Sequence, residues 1–566
     1  MKKLSVIITG LALSSVTYAA TPEQIEAAGQ VQDQLTGQEQ QRLDVQQQQL
    51  ESEKRPSGVD LDKQLTPISN LPAPAGQCFE LERLNVQGSE LLDEWETEVL
   101  EAPYIGQCIT PEMASAVLAS VTDFHLSRGF ITTRAYLPNQ DLKDGVMDVF
   151  VAEGKVEETL VQAEKEVFLS NAYQADEDLP LSIRDLEQAV DQLNAVPGNK
   201  ITMAVKPGVR EQNSQVVFEN QGSPTPKGRI SVDNSGSEST GQNGISLSAQ
   251  AGDLLGINDV WSLNLRKSLG AAEKSSQSLG LDVKVPHGYN TYAAGYKKGG
   301  FNTILTFPLT GTELTSEGAN DSVYLSAGRV IYLDQDSKHS VNLKLKRDSV
   351  ESYLADTKID VNSRSLTSLL LSTESALGFG NSVLVVTPEI AMGLDEVDNL
   401  PVGVNTPLEN PQSEFLRYKF TLDWNQPFLV NQNNFRWTSR FVTQYADMPL
   451  YGSQQLIVGG AASVRGSHDV SIVGDRGYFW QNSISLNKDH TLGESSFNGD
   501  YMIGYDFGHV WSERPDVYEG GMRALVFGAT WAAAPWSLSL THSVPVSVDS
   551  LDKGDSFTTA TIGLDF

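Results

Sequence analysis

Strands that alternate apolar and polar residues fill the C-terminal three-fifths of the chain, from about residue 223 to the end. In residues 416–424, for example, Leu, Tyr, Phe, Leu and Trp alternate with Arg, Lys, Thr and Asp. A period of two indicates β-strands with one apolar and one polar face. The segment has room for about 16 antiparallel strands, at about 21 residues for each strand with its share of the loops.

The apolar face of these strands distinguishes a soluble β-sandwich from a membrane barrel. A sandwich buries that face in a core, whereas an outer-membrane barrel turns it to lipid and keeps a polar, water-filled interior. Because the pattern persists over so many strands without an intervening helix, we predict a transmembrane β-barrel over residues 223–566. The longest stretch without Asp, Glu, Lys or Arg, residues 524–548, contains two prolines and does not predict a membrane helix.

The first twenty residues have the organisation of an export signal. Lys2 and Lys3 give a positive start, residues 4–16 are mostly apolar, and residues 17–20 end on two alanines. The apolar part is too short for a membrane-spanning helix, which needs about 20 residues. We therefore expect residues 1–20 to be a signal peptide that is removed on export, with a retained anchor as the alternative.

A Gln-rich segment, residues 21–53, follows the signal. Thr21 and Gln24 have the spacing of a capping box, and Pro22 suits the first position of a helix. A helix that is polar on nearly every face needs water or polar surroundings on most sides. The segment is therefore either a helix in a wet environment or a solvated tail. Residues 54–77 carry four prolines and predict an extended linker.

Two small α+β units are predicted between the linker and the barrel, over residues 78–153 and 154–222. Each has the pattern of a strand, two helices and two further strands, so the order of elements repeats although the letters do not. In the first unit, Thr110 and Pro111 are residue types typical of a helix N-terminus. In the second unit, Ser182 stands at the equivalent position.

The chain has only two cysteines, Cys78 and Cys108, and both lie in the first unit. In an exported protein such a pair can oxidise. A disulfide that closes a loop of this size stabilises a fold by about 3–4 kcal/mol on the chain-entropy model. We therefore predict a disulfide between Cys78 and Cys108, with two free thiols as the alternative.

Composition and motifs exclude several classes of function. The formal charge of −31 argues against a nucleic-acid binder, which requires a basic surface. The seven histidines are scattered without the spacing of a zinc hydrolase, and the barrel segment contains neither a phosphate-binding loop nor a serine-nucleophile motif. We therefore expect no catalytic residues, no cofactor and no metal, and hence no enzyme.

Three motifs follow one another along the chain. Residues 128–142 of the first unit carry an Arg-Gly-Phe-Ile-Thr-Thr-Arg pattern, residues 464–466 are Val-Arg-Gly, and residues 504–508 are Gly-Tyr-Asp-Phe-Gly. Together they resemble the POTRA, VRG and GxDxG motifs of the two-partner secretion transporters, the TpsB family. The resemblance covers nearly the whole mature chain. One departure is Ser467, where the family usually has an aromatic residue.

The resemblance implies a loop inside the lumen whose arginine contacts an acid of the barrel wall. The implied residues are Val464, Arg465 and Gly466 in the loop, and Gly504, Asp506 and Gly508 in the wall. Independently of the resemblance, Tyr505 and Phe507 belong to the apolar side of their strand, so Asp506 points to the lumen. The alternative is that Arg465 is an ordinary loop cation and Asp506 an ordinary lumen acid.

The family also implies a role for each remaining part. Residues 21–53 would plug the barrel at rest and leave during transport, and the POTRA domains would capture an unfolded TpsA-type exoprotein by adding its strand to a sheet edge. The exoprotein would cross the Gram-negative outer membrane through the lumen, without nucleotide hydrolysis. Outer-membrane lipid would surround the barrel, and the barrel assembly machinery would recognise the strand that ends at Phe566.

Two other functions fit parts of this pattern. An outer-membrane assembly insertase of the same superfamily usually has more periplasmic units and no plug helix. A gated porin needs neither the two periplasmic units nor the paired loop and strand motifs. The resemblance leaves the secreted partner open among a haemolysin, an adhesin and a contact-dependent inhibition toxin.

Overall fold

The computed structural model describes most of the chain from Phe79 onward and part of the Gln-rich segment before it. The described residues are 28–29, 31–32, 34–38, 40–41, 79–163, 167–174, 179–307, 311–394, 411–466, 470–493, 495–513, 519–549 and 554–566. The predicted signal peptide (1–20) and linker (54–77) lie outside the described residues, as do Cys78 and Ser467. None of the described helices is long and apolar enough to cross a membrane.

The first α+β unit packs helices against a three-stranded sheet. Its elements are β1 (Arg83–Gln87), α1 (Glu94–Glu101), α2 (Pro111–Ser127), β2 (Arg134–Tyr136) and β3 (Val146–Ala152). β3 lies in the centre of the sheet, parallel to β1 and antiparallel to β2. Both helices begin at capped residues, because Asp93 and Glu96 form a capping box on α1 and the Thr110 hydroxyl accepts from the Met113 amide at the start of α2.

The second α+β unit has the same sheet order. Its elements are β4 (Lys155–Ala163), α3 (Leu169–Ala172), α4 (Ile183–Asn194), β5 (Ile201–Pro207) and β6 (Asn213–Asn220). β6 is central, parallel to β4 and antiparallel to β5. The Ser182 hydroxyl caps α4 by accepting from the Asp185 amide. Ile183 and Leu186 on the apolar face of α4 are buried in one cluster with Phe218 of β6, which joins helix to sheet.

Sixteen long antiparallel strands close a barrel in the described part of the chain, and this confirms the predicted strand number. The first eight are β7 (Lys227–Asp233), β8 (Asn243–Gly252), β9 (Val260–Leu269), β10 (Ser275–His287), β11 (Asn290–Phe307), β12 (Thr312–Leu333), β13 (Ser337–Leu354) and β15 (Arg364–Phe379). The short strand β14 (Thr357–Lys358) lies between β13 and β15 in the chain. The other eight are β16 (Ser382–Leu394), β17 (Leu416–Val430), β18 (Asn433–Ala446), β21 (Arg476–Leu492), β22 (Ser495–Trp511), β23 (Gly520–Ala533), β24 (Trp536–Val548) and β25 (Phe557–Asp565). Two short strands, β19 (Leu456–Val458) and β20 (Ile472–Gly474), lie between β18 and β21 in the chain.

The barrel closes where its last strand meets its first. β25 pairs with β7 from Thr561 opposite Asp233 to Asp565 opposite Arg229. β19 and β20 stand apart from the wall as a two-stranded sheet within one loop. Many wall strands are longer than the predicted membrane-crossing length of about 9–11 residues, and β12 has 22 residues. The wall therefore extends beyond the thickness of the lipid.

The wall strands turn their apolar side outward. On β12, Val323 and Leu325 are exposed on the outer face, whereas Ser322 and Tyr324 are buried on the lumen side. The Tyr324 hydroxyl donates to the buried carboxylate of Asp282 on the same inner side. Polar groups thus satisfy one another inside the barrel, and the outer face offers aliphatic side chains to lipid.

The second α+β unit rests on the turns at one end of the barrel, which we call the periplasmic end in keeping with the sequence-based prediction. Asn171 is hydrogen-bonded to the backbone of two of these turns. On α4, Asp185 accepts from the Tyr289 hydroxyl at 2.5 Å, and Asp191 pairs with Lys338 at 3.0 Å. The junction is therefore held by polar contacts from one helix and one short segment.

Burial shifts two ionisable groups at this junction. Desolvation raises the pKa of Asp185, although the hydrogen bond from Tyr289 acts in the opposite direction. Desolvation also raises the pKa of Tyr289, and the Asp185 carboxylate adds to that rise. The tyrosine therefore stays protonated and serves as the donor of this contact.

Candidate functional site in the barrel lumen

The described residues of the segment between β18 and β21, 447–466 and 470–475, fold back into the lumen. Val458 of β19 and Ile472 of β20 are buried, and Val464 between the two strands is fully buried. These side chains pack in one cluster with Phe479 of the wall. Burying an aliphatic side chain of this size contributes about 1.5–3 kcal/mol. Apolar contacts therefore hold the loop inside an otherwise polar lumen.

Arg465 and Asp506 form a bidentate ion pair between this loop and the wall. Nε of Arg465 lies 2.6 Å from Oδ2 of Asp506, and Nη2 lies 2.7 Å from Oδ1. The backbone amide of Arg465 donates to the same Oδ2 at 3.1 Å. The Asp506 side chain is fully buried and that of Arg465 is 20% exposed. Two parallel charge-assisted hydrogen bonds fix the orientation of the loop as well as its distance from the wall.

The neighbouring strand β21 completes the hydrogen bonding of this pair. Nη2 of Arg465 also donates to the Ser483 hydroxyl at 2.8 Å, and the Asn482 amide donates to Oδ1 of Asp506 at 3.3 Å. Taking two charges out of water is costly unless further hydrogen bonds satisfy their remaining donors and acceptors. The wall provides such bonds here, so the pair can persist with little exposure to solvent.

Three glycines lie at the contact between the loop and the wall, and their lack of a side chain allows the close approach. A Cβ added to Gly504 would lie 2.9 Å from Nη2 of Arg465, and one added to Gly508 would lie 2.9 Å from a side chain of the β19 hairpin. On the loop side, a Cβ added to Gly466 would lie 2.0 Å from that of Ala524. Larger residues at these three positions would therefore push the loop away from the wall.

Asp475, which sequence reasoning did not single out as a site residue, ties several parts of the loop together. Its side chain is fully buried. Oδ1 accepts from the Leu450 amide at 2.8 Å and from Nε2 of Gln455 at 2.9 Å, and Oδ2 accepts from the Glu513 amide at 2.8 Å. The one local signal for it is its place in the Gly-Asp-Arg-Gly stretch at residues 474–477.

The described residues of the Gln-rich segment are helical and lie in the lumen. Gln32 is 1% exposed, and its Nε2 donates to the Ser316 hydroxyl at 2.6 Å and to a backbone carbonyl of β13 at 3.0 Å. Nε2 of Gln34 and Nε2 of Gln38 both donate to the hydroxyl of Ser471, at 2.5 and 2.8 Å. The helix is thus bound to the wall on one side and to the lumen loop on the other.

The same helix also makes apolar contacts that its composition did not lead us to expect. Ala28 is fully buried against Leu354 and Ile359 at the extracellular end of the wall. Gly37 lies so close to the loop that an added Cβ would be 2.6 Å from Cδ1 of Ile457. The sequence indicated water or polar surroundings on most sides of the helix, whereas Ala28 and Gly37 pack against apolar side chains because small residues allow a close approach.

Helix and loop leave part of the lumen open. A cavity of about 900 Å³ remains beside them, and Gln38, Gln41 and Arg465 line it together with serines and threonines of the first and last strands. Polar walls of this kind suit water. The resting lumen is therefore narrowed by two inserted elements and is not packed solid.

The structure brings together all six residues that the resemblance implied for the lumen. The two arms of the site, Val464 to Gly466 and Gly504 to Gly508, meet through the Arg465–Asp506 pair. Cys108 belongs to the first α+β unit and is disulfide-bonded, while its predicted partner Cys78 is outside the described residues. Among the residues that the structure describes, no group of three or more His, Cys, Asp or Glu side chains is placed to hold a metal ion.

Comparisons with protein families place matches along most of the chain. The model described as haemolysin secretion/activation protein ShlB/FhaC/HecB matches residues 212–531. A ShlB-type POTRA domain model matches residues 79–154, and a second POTRA domain model matches residues 155–207.

Individual proteins with similar sequence or structure span most of the chain as well. The outer membrane transporter CdiB of Dickeya dadantii (strain 3937) is 26% identical over 517 residues, which cover 89% of this chain and 90% of that protein. The hemolysin transporter protein ShlB of Serratia marcescens is 24% identical over 455 residues, 79% of each chain. The solved structure of CdiB from Escherichia coli has a TM-score of 0.80 at 24% identity and covers 97% of this chain and 100% of that one.

Proposed function

This chain belongs to the haemolysin secretion/activation family ShlB/FhaC/HecB, and from that premise we propose that it carries an unfolded partner exoprotein from the periplasm through its barrel lumen to the cell surface. The predictions of a two-partner secretion transporter, of a barrel behind two POTRA domains and of an outer-membrane location are confirmed. The POTRA domains lie in the periplasm. An assembly insertase and a gated porin are not favoured, since the named relatives are transporters such as CdiB and ShlB.

A polar helix bound in a wide lumen is the observation that carries the proposal. Among its described residues, Gln32, Gln34 and Gln38 form hydrogen bonds to the wall and the loop. Each such bond contributes only about 0.5–1.5 kcal/mol net, because water replaces it when it breaks. Among the described residues of the helix, the buried apolar side chains are those of Ala28 and Leu35. The helix can therefore leave without disrupting the wall, and residues 21–53 act as a plug that is displaced during transport.

Single-channel conductance in a planar bilayer tests the plug. Deletion of residues 21–53 should convert a small conductance into a large and stable one, because the lumen then contains the loop alone. Replacing Gln32, Gln34 and Gln38 together by alanine should increase the frequency of openings. The matched control is Gln41→Ala on the same helix, since Gln41 lines the cavity and forms no hydrogen bond among the described residues. A small, unchanged conductance after the deletion would contradict plugging.

The lumen loop has a different role in this proposal. The Arg465–Asp506 pair and the apolar cluster around Val464 hold the loop on the wall while the helix leaves, which keeps a defined path open beside it. Gly466, Gly504 and Gly508 contribute by leaving the space that this contact needs. The loop is thus a fixed part of the passage, whereas the helix is its removable part.

Capture of the exoprotein is assigned to the free edges of the POTRA sheets. β1, β2, β4 and β5 are the edge strands of the two described sheets. At the β2 edge, Tyr136 lies opposite Phe150 of β3, and the two side chains are 52% and 43% exposed. An extended polypeptide that pairs with a sheet edge gains main-chain hydrogen bonds whatever its sequence, and aromatic neighbours add side-chain contacts. An unfolded TpsA-type exoprotein offers the extended backbone that pairs with such an edge.

We also infer that this transport includes no covalent chemistry. The energy comes from folding of the exoprotein outside the cell, because a periplasmic passenger has no nucleotide to hydrolyse and the barrel segment has no phosphate-binding loop. The chain accordingly needs no catalytic residue, cofactor or metal. Uptake of an exoprotein by proteoliposomes without added nucleotide tests this, and a strict requirement for nucleotide would contradict it.

The C-terminal strand carries the proposed recognition by the barrel assembly machinery. The Phe566 amide donates to the Gly228 carbonyl at 2.9 Å, and the Gly228 amide donates back at 2.8 Å, so the last residue still pairs with β7. Its side chain is 57% exposed and available to a receptor before closure. Removal of Phe566 should reduce the amount of folded barrel in the outer membrane, and normal assembly would contradict this role.

The domain limits within this proposal are those of the sequence analysis. Residues 1–20 form the signal peptide, residues 21–53 the plug, residues 54–77 the linker, residues 78–153 and 154–222 the POTRA domains, and residues 223–566 the barrel. The disulfide of Cys108 is assigned to Cys78, the only other cysteine of the chain. N-terminal sequencing of the mature protein and peptide mapping without reduction test the first and last of these assignments.

A further inference from the structure

A groove on the outer, lipid-facing side of the barrel carries two lysines among aliphatic side chains. It crosses β7 to β11 and encloses about 630 Å³. Its floor includes Ile245, Leu265 and Leu279, and its polar edge includes Gln277, Lys267 and Lys298. A charged side chain on the lipid face of a barrel is unfavourable unless it lies near the headgroups or meets a charge of the opposite sign.

The strand register places both lysines on the outer face. Lys267 of β9 lies opposite Gln277 of β10, and Lys298 of β11 lies opposite the next outward residue of that same strand. Leu265 and Tyr296, two residues before each lysine, are exposed on the outside. Because side chains alternate along a strand, the lysines share the face of these apolar residues. They flank β10 on its two sides.

The lysines also lie at the extracellular border of the apolar band. β9 and β11 run away from the periplasmic turns, so Leu265 comes before Lys267 and Tyr296 before Lys298 in the direction of the cell surface. A single aliphatic residue, Leu269, follows Lys267 on the outer face before β9 ends. In a membrane barrel this border is the level of the outer-leaflet headgroups.

Neither lysine has an ion pair or a hydrogen bond with any described residue. The carboxylate opposite Lys298 in the register is that of Asp321, and it accepts from the Tyr296 hydroxyl at 2.8 Å. The groove thus presents two ammonium groups, one carboxylate already in use and an aliphatic floor. A ligand that complements this arrangement has an anionic group attached to a hydrocarbon chain.

We propose that the groove binds a phosphorylated glycolipid of the outer leaflet, the lipid A part of lipopolysaccharide. Acyl chains lie on the floor around Leu265 and Leu279, and Lys267 and Lys298 bind phosphate through charge-assisted hydrogen bonds. β9 and β11 are about 9.6 Å apart, which is twice the spacing of neighbouring strands, so both flexible side chains reach one headgroup. The chain as a whole carries a formal charge of −31, and local cations offset its repulsion from an anionic leaflet.

The proposal uses the outer-membrane location of the barrel and is independent of exoprotein transport. Native mass spectrometry of the full chain in detergent, with purified diphosphorylated lipid A added, measures the binding directly. Lys267→Gln and Lys298→Gln should each weaken binding roughly fivefold, and the double variant roughly 25-fold. The matched control is Lys488→Gln, since Lys488 is an exposed lysine at the periplasmic end of the outer wall. Its affinity for lipid A should be unchanged.

Two further arms identify the source of the binding energy. Lipid A without its phosphates should bind the wild-type chain as weakly as diphosphorylated lipid A binds the double variant, and Asp321→Asn should strengthen binding by removing the adjacent negative charge. Equal affinity of all variants, or of the dephosphorylated lipid, overturns the proposal. Displacement of the lipid by equimolar inorganic phosphate also overturns it, because the site would then recognise a free anion.

The same preparation separates this proposal from the proposed transport. Heat-modifiable migration on gels shows that each variant has a closed barrel, and the binding assay contains no exoprotein. A secretion defect with normal lipid binding therefore concerns the transport alone, and a binding defect with a closed barrel concerns the groove alone.

Discussion

Replacing Arg465 by alanine perturbs the contact between loop and wall while leaving both backbones in place. The change removes both side-chain hydrogen bonds to Asp506 and the one to Ser483. The amides of residue 465 and of Asn482 remain near the carboxylate, at 3.1 and 3.3 Å. The carboxyl group of Asp506 is then left fully buried without its cationic partner.

The expected cost follows from this stranded carboxyl group. Removing one partner of a buried ion pair destabilises by about 3–5 kcal/mol. Arg465 is 20% exposed, so the lower limit applies, and a loss of about 3 kcal/mol shifts the equilibrium between docked and released loop roughly 160-fold. The apolar cluster of the loop remains, so the barrel itself should stay folded.

The assay combines secretion with a direct measure of loop docking. In cells that express the cognate exoprotein, Arg465→Ala should sharply reduce secretion while heat-modifiable migration still shows a folded barrel. Hydrogen exchange of the Val464 amide should accelerate by about two orders of magnitude, in line with the cost above. Arg465→Lys should be intermediate, because lysine keeps the charge and loses the bidentate geometry. Arg523→Ala, at an exposed arginine on the outer face of β23, is the matched control and should secrete normally.

A double substitution distinguishes an ion pair from two independent contributions. In Arg465→Ala/Asp506→Ala no charge is stranded, so loop docking should be less impaired than the sum of the two single variants. Normal secretion and normal exchange in Arg465→Ala would show that the ion pair does not hold the loop on the wall. So would strict additivity of the two single effects, because the residues would then not be coupled.

The remaining predictions concern the periplasmic part. Burial raises the pKa of Asp185, so its contribution to the junction is present at acidic pH and lost as the pH rises through that raised pKa. Asp185→Asn should remove this dependence, as measured by hydrogen exchange of the Tyr289 amide between pH 4 and 7, and an unchanged slope would contradict it. Reduction of the Cys108 disulfide should lower the free energy of unfolding of its domain by about 3–4 kcal/mol in urea titrations of the full chain, whereas an unchanged midpoint would argue against a structural role. Tyr136→Glu at the β2 edge should weaken binding of the exoprotein's N-terminal segment, while Trp95→Glu, at a more exposed aromatic on α1, should not. Equal effects of both would exclude the edge as the capture surface.

The two elements in the lumen differ in how they are held, and this difference gives each its role. The loop buries a connected apolar cluster and a bidentate pair, which release only at substantial cost. Among its described residues, the helix is held by amide hydrogen bonds to Ser316 and Ser471 and by the buried side chains of Ala28 and Leu35. Water can replace the hydrogen bonds of the helix, so transport can empty part of the lumen without unfolding the loop.

Several features of the fold were readable from local sequence patterns, because strand alternation is a property of the chain itself. The alternation in residues 416–424 predicts an amphipathic strand whatever its place in the fold. Asp506 lies between Tyr505 and Phe507, which belong to the apolar outer face, so its side chain points to the lumen. Helix starts were equally local, as the caps at Thr110 and Ser182 show. The length of the alternating segment led to the correct number of strands.

Contacts across the lumen could not be inferred in this way, because they depend on closure of the wall and on residues that are tens to hundreds of positions apart. Gln32 reaches Ser316, and Asp475 joins Leu450 to the Glu513 amide, although no periodicity marks these partners. The resemblance to a family suggested that the loop enters the lumen, but the packing of Val464 required the three-dimensional arrangement of six strands. The two-residue period of a strand indicates which way a side chain points, whereas the curvature and closure of the barrel determine which residues that side chain contacts.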